Sequence, residues 1–342
     1  MSGTKRLTQK EIARLAGVSQ SAVSMVLNDS AAAAGRIPEE TRERIHKVIR
    51  ETGYVVDPVA RKMASGRNRI LGVFTYEPAF PSAQSDFFAP FFLGIEEAAQ
   101  ELGYDLLLLT GSSGVRKKIF SENVRLRLAD GCLVLGMQFN RDELERLVGG
   151  DYPFAAIGRR DDAGGPVPYC GADYVSATHD LVQRAKSLGH RRLAYVGPED
   201  GAESLVDRWK GFLSATDENS ELVSRMDSLI PSPEDMLDGI VSSGATVVFF
   251  TELSDAVKVQ GLALAREFNI PEDFSIVVLG RHARAADTGT RFSTFRIPRE
   301  EMGREAARML VRRIEGNESA QQILLNCDLI EGETLGAVFE GL

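Results

Sequence analysis

The chain has 342 residues, of which 43% are hydrophobic and 26% are charged, and its formal net charge is −9. This length predicts two or three domains, and no apolar run approaches the roughly 20 residues that a membrane-spanning helix needs. The basic N-terminus lacks the apolar segment of a signal peptide, and the three cysteines are scattered and odd in number, so we expect a reduced protein of the cytoplasm with no membrane partner.

Charge is distributed unevenly along the chain. Residues 1–69 contain 13 Lys and Arg against 7 Asp and Glu, a balance of +6, whereas the remaining residues have a balance of −15. A basic N-terminal segment on an acidic body predicts that this segment alone meets a polyanion such as DNA.

The basic segment is predicted to fold as three helices. Thr8 begins the first helix with a capping box, and Ile12, Leu15 and Ala16 follow at helical spacing. A Gly-Val turn ends this helix, and Ser19 can cap the second. A third helix begins at a proline and ends at a glycine.

Two helices joined by a tight turn are the arrangement that lays the second helix in the major groove of DNA. The second helix presents polar side chains opposite its apolar stripe. Gln20 can make a bidentate hydrogen bond to adenine and Ser21 can donate or accept, while Ser24 and Asn28 are expected at the phosphate backbone. The same pattern also fits a helical bundle that binds another protein.

The stretches LTQKEIARLAGVSQSAVSMVLN and GRIPEETRERIHKVIRETGYVVDPVARKMASGR resemble the head of the LacI/GalR family of bacterial transcription regulators. Similar stretches continue in the family's order to the C-terminus, among them FFLGIEEAAQELGYDLLLL, LGHRRLAYVG, DRWKGF and IPEDFSIVVLG. The resemblance implies an all-α helix-turn-helix head at 1–56, a hinge linker at 57–69, and a two-lobed, periplasmic-binding-protein-like α/β body with parallel sheets at 70–342.

The resemblance also implies a homodimeric repressor that binds a pseudo-palindromic double-stranded DNA operator and associates with the nucleoid when bound. The predicted DNA-contacting residues are Thr8, Ser19, Gln20, Ser21, Ser24, Met25, Asn28, Arg36, Tyr54, Ala60, Arg61 and Met63.

Two of these positions differ from the family's usual residues. The family usually has Arg where this chain has Met25, which can contact a thymine methyl group or can pack against the head's own core. In the hinge, Met63 occupies the position of a Leu that wedges into the minor groove, with Arg61 beside it to hold phosphate. A flexible tether is the alternative for this segment.

From Ile70 onward, short apolar runs such as ILGVFTY, GCLVLG, TVVFFT and SIVVLG alternate with helical patterns. This alternation predicts parallel sheets covered by helices, with a ligand cleft beyond the carboxyl ends of the strands. The resemblance implies a small-molecule effector, a sugar or sugar derivative. The candidate effector-binding residues are Tyr76, Phe87, Phe88, Arg159, Asp173, Arg208, Ser254, Asp255 and Arg281.

The cleft departs from the family's sugar binders at two strand ends. Gly158 and Gly280 stand where those proteins often carry Asp, and an arginine follows each glycine. A larger sugar or an anionic ligand could therefore use Arg208 with Arg159 or Arg281. Alternatively these arginines point to solvent, and the regulator has no small-molecule effector or answers to a protein partner.

Nothing in the sequence indicates catalysis. The four histidines lie outside any metal or nucleophile motif, and the TGSSG segment lacks the lysine of a phosphate-binding loop. We therefore expect no catalytic residues, no metal and no cofactor.

Overall fold

The computed structural model describes residues 7–27, 36–54, 66–77, 85–109, 119–120, 126–216, 221–227, 232–280, 289–317 and 320–338. The chain divides into two compact units, Met1–Arg69 and Ile70–Leu342. Several positions with predicted roles lie outside the described residues, namely Asn28, Ala60, Arg61, Met63 and Arg281.

The head contains three described helices, α1 (Gln9–Ala16), α2 (Gln20–Leu27) and α3 (Glu39–Thr52). The predicted capping box is confirmed. The Glu11 carboxylate accepts a hydrogen bond from the Thr8 amide at 2.9 Å, and the Thr8 hydroxyl accepts one from the Glu11 amide at 3.4 Å. The predicted ends are confirmed as well, since Gly17 (φ 66°) ends α1 and Gly53 (φ 61°) ends α3 in the left-handed conformation.

A small apolar core holds the three helices together. It contains Ile12, Val23 and Ile45, which are fully buried. Leu15 lies within α1 as its spacing predicts, but at the edge of the apolar stripe, where it remains 47% exposed. The buried face of α1 is formed instead by Ile12, Ala13 and Ala16.

The first lobe of the body contains six strands and three α-helices among its described residues. They are β1 (Ile70–Thr75), α4 (Ser85–Glu101), β2 (Asp105–Leu109), β3 (Gly131–Leu135), α5 (Arg141–Val148), β4 (Phe154–Ile157), β5 (Tyr169–Ala172), α10 (Arg299–Ile314) and β11 (Gln322–Leu325). The strands form one parallel sheet in the order β11-β5-β4-β3-β1-β2.

The second lobe contains six strands and four α-helices among its described residues. They are α6 (Tyr174–Ser187), β6 (Arg192–Val196), α7 (Glu203–Ala215), β7 (Glu221–Met226), α8 (Pro233–Ser243), β8 (Val247–Phe250), α9 (Leu253–Ala265), β9 (Ser275–Val278), β10 (Ser293–Arg296) and β12 (Asp328–Ile330). Its sheet order is β12-β10-β9-β8-β6-β7, and only the β10–β12 pair is antiparallel.

The chain crosses between the lobes after β5, after β10 and after β11. Helix α10 therefore returns to the first lobe, where it packs against α4. The two helix backbones approach so closely that a Cβ on Gly94 would collide with the Glu300 carbonyl oxygen, and one on Gly303 would collide with the Phe91 carbonyl oxygen. Five of the described strands, β3, β4, β5, β8 and β9, are buried along their whole length, which is the pattern of a parallel sheet covered on both faces.

Among the helices that the structure describes, none combines the length and apolar character that crossing a membrane requires. Cys132, Cys170 and Cys327 are not joined by disulfides.

Candidate functional site

The exposed face of α2 is a candidate DNA-reading surface. Val23 and Val26 are buried in the head core, so the opposite side of this two-turn helix is turned outward. Gln20 and Ser21 are exposed at its N-terminal end, and Ser24 is half-buried beside them. A short helix anchored by one apolar face can therefore present polar side chains to a groove.

Two of the predicted DNA-contacting side chains also serve the head core. Met25 and Tyr54 are half-buried and pack against the core residues. This packing supports the alternative that Met25 contributes to the stability of the head, and its remaining exposed surface is apolar.

The hydroxyl groups of Thr8 and Ser19 act as helix caps. Ser19 Oγ accepts a hydrogen bond from the Ala22 amide at 3.2 Å and lies 2.8 Å from Ser21 Oγ. Both caps remain exposed, as does Arg36. Caps fix the N-termini of α1 and α2, where backbone N–H groups favour phosphate oxygens.

In the body, candidate ligand contacts follow the strands at the boundary between the lobes. Tyr76, directly after β1, is half-buried and its hydroxyl donates a hydrogen bond to Glu143 Oε2 at 3.0 Å. Burial and the Glu143 carboxylate raise the pKa of Tyr76, so its phenol remains neutral. Its hydroxyl is thus held by Glu143, and its ring packs against the rings of Phe74 and Phe139.

Phe87 and Phe88 have different environments, because Phe88 is buried in the core and Phe87 is half-buried. Phe88 lies in the first turn of α4, is 1% exposed and packs in the apolar core of the body, so its contact with a ligand stays a prediction. Phe87 is half-buried, with its ring centroid 4.8 Å from that of Phe88 and the Arg299 guanidinium 5.7 Å from the Phe87 ring centroid.

Arg208 lies on α7 and is 2% exposed. Its Nε donates to the Leu279 carbonyl oxygen at 2.6 Å, and its Nη1 donates to the Ser204 carbonyl oxygen at 2.7 Å. The guanidinium lies over the Tyr174 ring, 4.0 Å from the centroid. These contacts fix the side chain at the end of β9, where a planar donor can meet a ligand hydroxyl.

Arg159 does not point to solvent, which was one alternative for this residue. Its Nε lies 2.5 Å from Asp207 Oδ2 and its Nη1 lies 2.7 Å from Asp161 Oδ1. Burial acts to lower the pKa of Arg159, but hydrogen bonds to the two carboxylates outweigh burial and raise it. The positive charge is therefore matched by the chain's own carboxylates.

The carboxylate that follows β8 is Glu252, which sequence reasoning missed. Helix α9 begins at Leu253, so Ser254 and Asp255 lie within its first turn. Ser254 is exposed, and the cation that acts on Asp255 is Lys258. Desolvation raises the pKa of Glu252 while the nearby charge of Arg208 opposes that shift. By the rule that ligands meet residues directly after a strand, Glu252 is a further candidate for contact with a ligand.

Asp173, at the first crossover, is a helix cap. Its Oδ1 accepts from the Ser176 amide at 3.0 Å and its Oδ2 accepts from the Ser176 hydroxyl at 2.7 Å. Both carboxylate oxygens are thereby engaged at the N-terminus of α6. A ligand would have to share these oxygens with the cap.

Gly158 and Gly280 both have backbone conformations that favour glycine, with φ of 97° and 93°. A Cβ on Gly280 would lie 2.9 Å from Phe295 Cε2 and 3.1 Å from Arg208 Nη2. The close approach of backbone to Arg208 therefore accounts for a glycine at this strand end.

Comparisons with known proteins agree with this architecture. Residues 8–57 match the family model described as bacterial regulatory proteins, lacI family, and residues 182–335 match the model of a periplasmic binding protein-like domain. The HTH-type transcriptional regulator CelR of Thermobifida fusca is 29% identical over 92% of this chain and 94% of its own length. The HTH-type transcriptional repressor MelR of Bacillus subtilis (strain 168) is 26% identical over 96% and 97% of the two chains.

Solved structures are similar over almost the whole chain. A complex of the transcriptional regulator CelR with cellobiose is 26% identical, with a TM-score of 0.60 and coverage of 96% of this chain and 100% of that one. The lac repressor dimer bound to operator and the anti-inducer ONPF is 18% identical, with a TM-score of 0.75 and coverage of 97% and 100%. At 18% identity, the similarity to the lac repressor shows the fold alone.

A helix-turn-helix head followed by a two-lobed, periplasmic-binding-protein-like body defines a DNA-binding transcription regulator and not an enzyme. The chain belongs to the LacI/GalR family of bacterial transcription regulators.

Proposed function

We propose that this regulator is a homodimeric repressor of the bacterial cytoplasm that binds a pseudo-palindromic operator, one head per half-site. The observation that carries the proposal is the division of α2 into a buried face and an exposed polar one. Gln20 and Ser21 are the side chains on the exposed face with direct access to base edges. Two-fold symmetry of the dimer would be mirrored in the operator.

The hinge segment 57–69 is part of this proposal, although most of it lies outside the described residues. Met63, with Ala60 and Arg61 before it, would wedge an apolar side chain into the minor groove at the centre of the operator. Basic neighbours would hold the flanking phosphates.

We further propose that operator affinity is controlled by an uncharged, carbohydrate-derived ligand at the boundary between the lobes. The charges of Arg159 and Arg160 are matched by Asp207, Asp161 and Glu203, which favours an uncharged ligand beside these two arginines. Arg208 and Glu252 would supply a donor and an acceptor for hydroxyl groups. The relative CelR has been solved with cellobiose, a neutral sugar.

Selection of duplexes from a random pool by the full-length protein tests the proposal. We expect enrichment of a palindrome, and we expect Gln20→Ala to weaken its binding by about 1–3 kcal/mol and to relax specificity at one base pair. Met63→Ala should weaken binding while leaving the half-site sequence unchanged. The control is His46→Ala, an exposed change on α3 that should leave binding unaltered.

The enriched complex is then titrated with cellobiose, other neutral sugars and sugar phosphates. A neutral sugar is expected to shift operator affinity. A shift by sugar phosphates alone would contradict the uncharged ligand class, and no shift by any sugar would favour control by a protein partner. If no duplex is enriched with or without sugars, the head binds protein and the repressor proposal is wrong.

A further inference from the structure

Four charged side chains join the two lobes of the body at one side of their boundary. Arg159 and Arg160 follow β4 in the first lobe, and Glu203 and Asp207 lie on α7 in the second. We call these four residues the clasp.

Helix geometry explains how α7 meets two consecutive arginines. Glu203 and Asp207 are four residues apart and therefore lie on the same face of α7. Asp207 Oδ2 is 2.5 Å from Arg159 Nε, and Glu203 Oε2 is 3.2 Å from Arg160 Nη1. The second Glu203 oxygen accepts from the Asp161 amide at 3.4 Å, which adds a backbone contact across the boundary.

The four side chains of the clasp are more buried than those of ion pairs on the protein surface. The side chains of Arg160 and Asp207 are 4% and 5% exposed, and those of Arg159 and Glu203 are 17% and 20% exposed. Water and salt screen such pairs weakly, and removing one partner leaves the other charge buried without its counter-ion. Other ion pairs of the body, such as Arg304–Glu97 and Arg296–Asp328, lie within one lobe.

Arg160 also anchors the clasp inside the first lobe. Its Nη2 donates to the Gly136 carbonyl oxygen at 2.6 Å, and its guanidinium lies 3.9 Å from the centroid of the Phe139 ring. Arg160 is therefore held by the loop after β3, while Glu203 is held by α7. The clasp thus connects the loop after β3 in the first lobe to α7 in the second.

The same helix carries the candidate ligand contact. Arg208 follows Asp207 directly and reaches the end of β9, so any displacement of α7 moves the clasp and this contact together. We propose that the clasp is a regulatory device that holds the lobes in one arrangement, so that its rupture shifts operator affinity. Glu203 and Asp207 are positioning residues in this proposal, which rests on the proposed function of the chain as an operator-binding repressor.

The full-length protein with Asp207→Asn tests this proposal against Asp161→Asn. Both variants remove one carboxylate partner of Arg159 and change the net charge equally, but Asp161 lies in the same lobe as Arg159 and its loss leaves the inter-lobe contacts in place. Two readouts are measured: hydrogen exchange of peptides covering 158–166 and 200–210, and affinity for the duplex selected with the wild-type protein.

We expect Asp207→Asn to speed exchange in both peptides and to change operator affinity by at least about 5-fold, the lower end of ordinary coupling between sites. An increase in affinity would mean that the operator is bound by the arrangement of the lobes without the clasp, and a decrease that it is bound by the arrangement with the clasp. Asp161→Asn should stay within about twofold of wild type in affinity. A purely structural role would speed exchange near α7 without altering DNA binding, since the head is a separate unit with its own core.

The proposal is overturned if Asp207→Asn leaves operator affinity unchanged, or if Asp161→Asn changes it equally. Should Asp207→Asn fail to fold, Glu203→Gln removes the second carboxylate from a more exposed position and must show the same pattern. Failure of the proposed function is a separate result, because no duplex would then be enriched by the wild-type protein.

Discussion

At the residue scale, Gly280 combines a left-handed backbone with a close approach to Arg208. Gly280→Ala would introduce a Cβ at φ 93°, about 3 Å from the Phe295 ring and the Arg208 guanidinium. Backbone strain and overpacking should together lower the free energy of unfolding by about 2–4 kcal/mol. Chemical denaturation of the purified variant measures this loss.

Gly261→Ala is the matched control for this prediction. Gly261 lies inside α9 and is exposed, and a Cβ added there would meet no neighbouring atom within 4 Å. Alanine in a helix interior should raise the free energy of unfolding by about 0.5–1 kcal/mol. Equal effects of the two substitutions would contradict the account given for Gly280.

At the scale of elements, His190 joins three segments of the second lobe. Its Nε2 donates to the Gly336 carbonyl oxygen at 2.9 Å, and its Nδ1 lies 3.0 Å from the Thr246 hydroxyl. The ring therefore ties the chain before β6 to the chain before β8 and to the C-terminal segment. Burial lowers the pKa of His190 and outweighs the hydrogen bond to Gly336, which raises it, while the charge of Arg191 also lowers it.

This shift predicts a pH dependence of stability. The pKa of His190 is lower in the folded state than in the unfolded state. Once the pH falls below the unfolded pKa of about 6.5, the unfolded chain therefore binds a proton that the folded chain does not. We expect the free energy of unfolding to fall as the pH drops from 7 toward 5, and His190→Gln to make this decline shallower. The exposed His46→Gln serves as the control, and an identical slope in both variants would contradict the assignment.

At the scale of the whole molecule, one short C-terminal segment completes both sheets. Strand β11 adds to β5 at the edge of the first sheet, and β12 adds to β10 at the edge of the second. Beyond β12, Thr334 Oγ1 donates to the Ile276 carbonyl oxygen at 2.6 Å. Both lobes therefore depend on residues 320–338.

A chain ending at Asn317 should consequently lose both lobes together. We expect the cooperative thermal transition of the body to disappear in calorimetry, because each sheet would expose an unpaired, partly apolar edge. A chain ending at Val338 keeps all the described residues and should melt at an unchanged midpoint. Loss of only part of the transition enthalpy in the shorter chain would mean that the lobes fold independently of this segment.

The sequence predicted local features well where the signal is local. Capping residues, glycine stops and apolar runs depend on neighbours within a few positions, which is why Thr8, Ser19 and Gly53 and the main body strands were assigned correctly. Helical periodicity likewise predicted an outward Gln20. Spacing alone does not tell which edge of an apolar stripe another helix will cover, and Leu15 at that edge is exposed.

The candidate ligand site was predicted less completely, because its parts come from distant positions. The resemblance assigned Phe87 and Phe88 together to the cleft, whereas packing buries Phe88 and leaves Phe87 half-buried. The predicted positions, Ser254 and Asp255, lie two and three residues after the candidate Glu252, because α9 begins at Leu253.

By itself, then, the sequence determined the order of helices and strands, the polar face of α2 and the family, since periodicity, caps and ordered motifs are properties of the linear chain. Only the tertiary structure decided the state of the charges at the boundary between the lobes. Arg159 and Asp207 are 48 positions apart, and their pairing exists because the turn after β4 and the first turns of α7 meet. The physical reason is that an arginine's chemistry depends on its partner and its burial, and both are set by the fold.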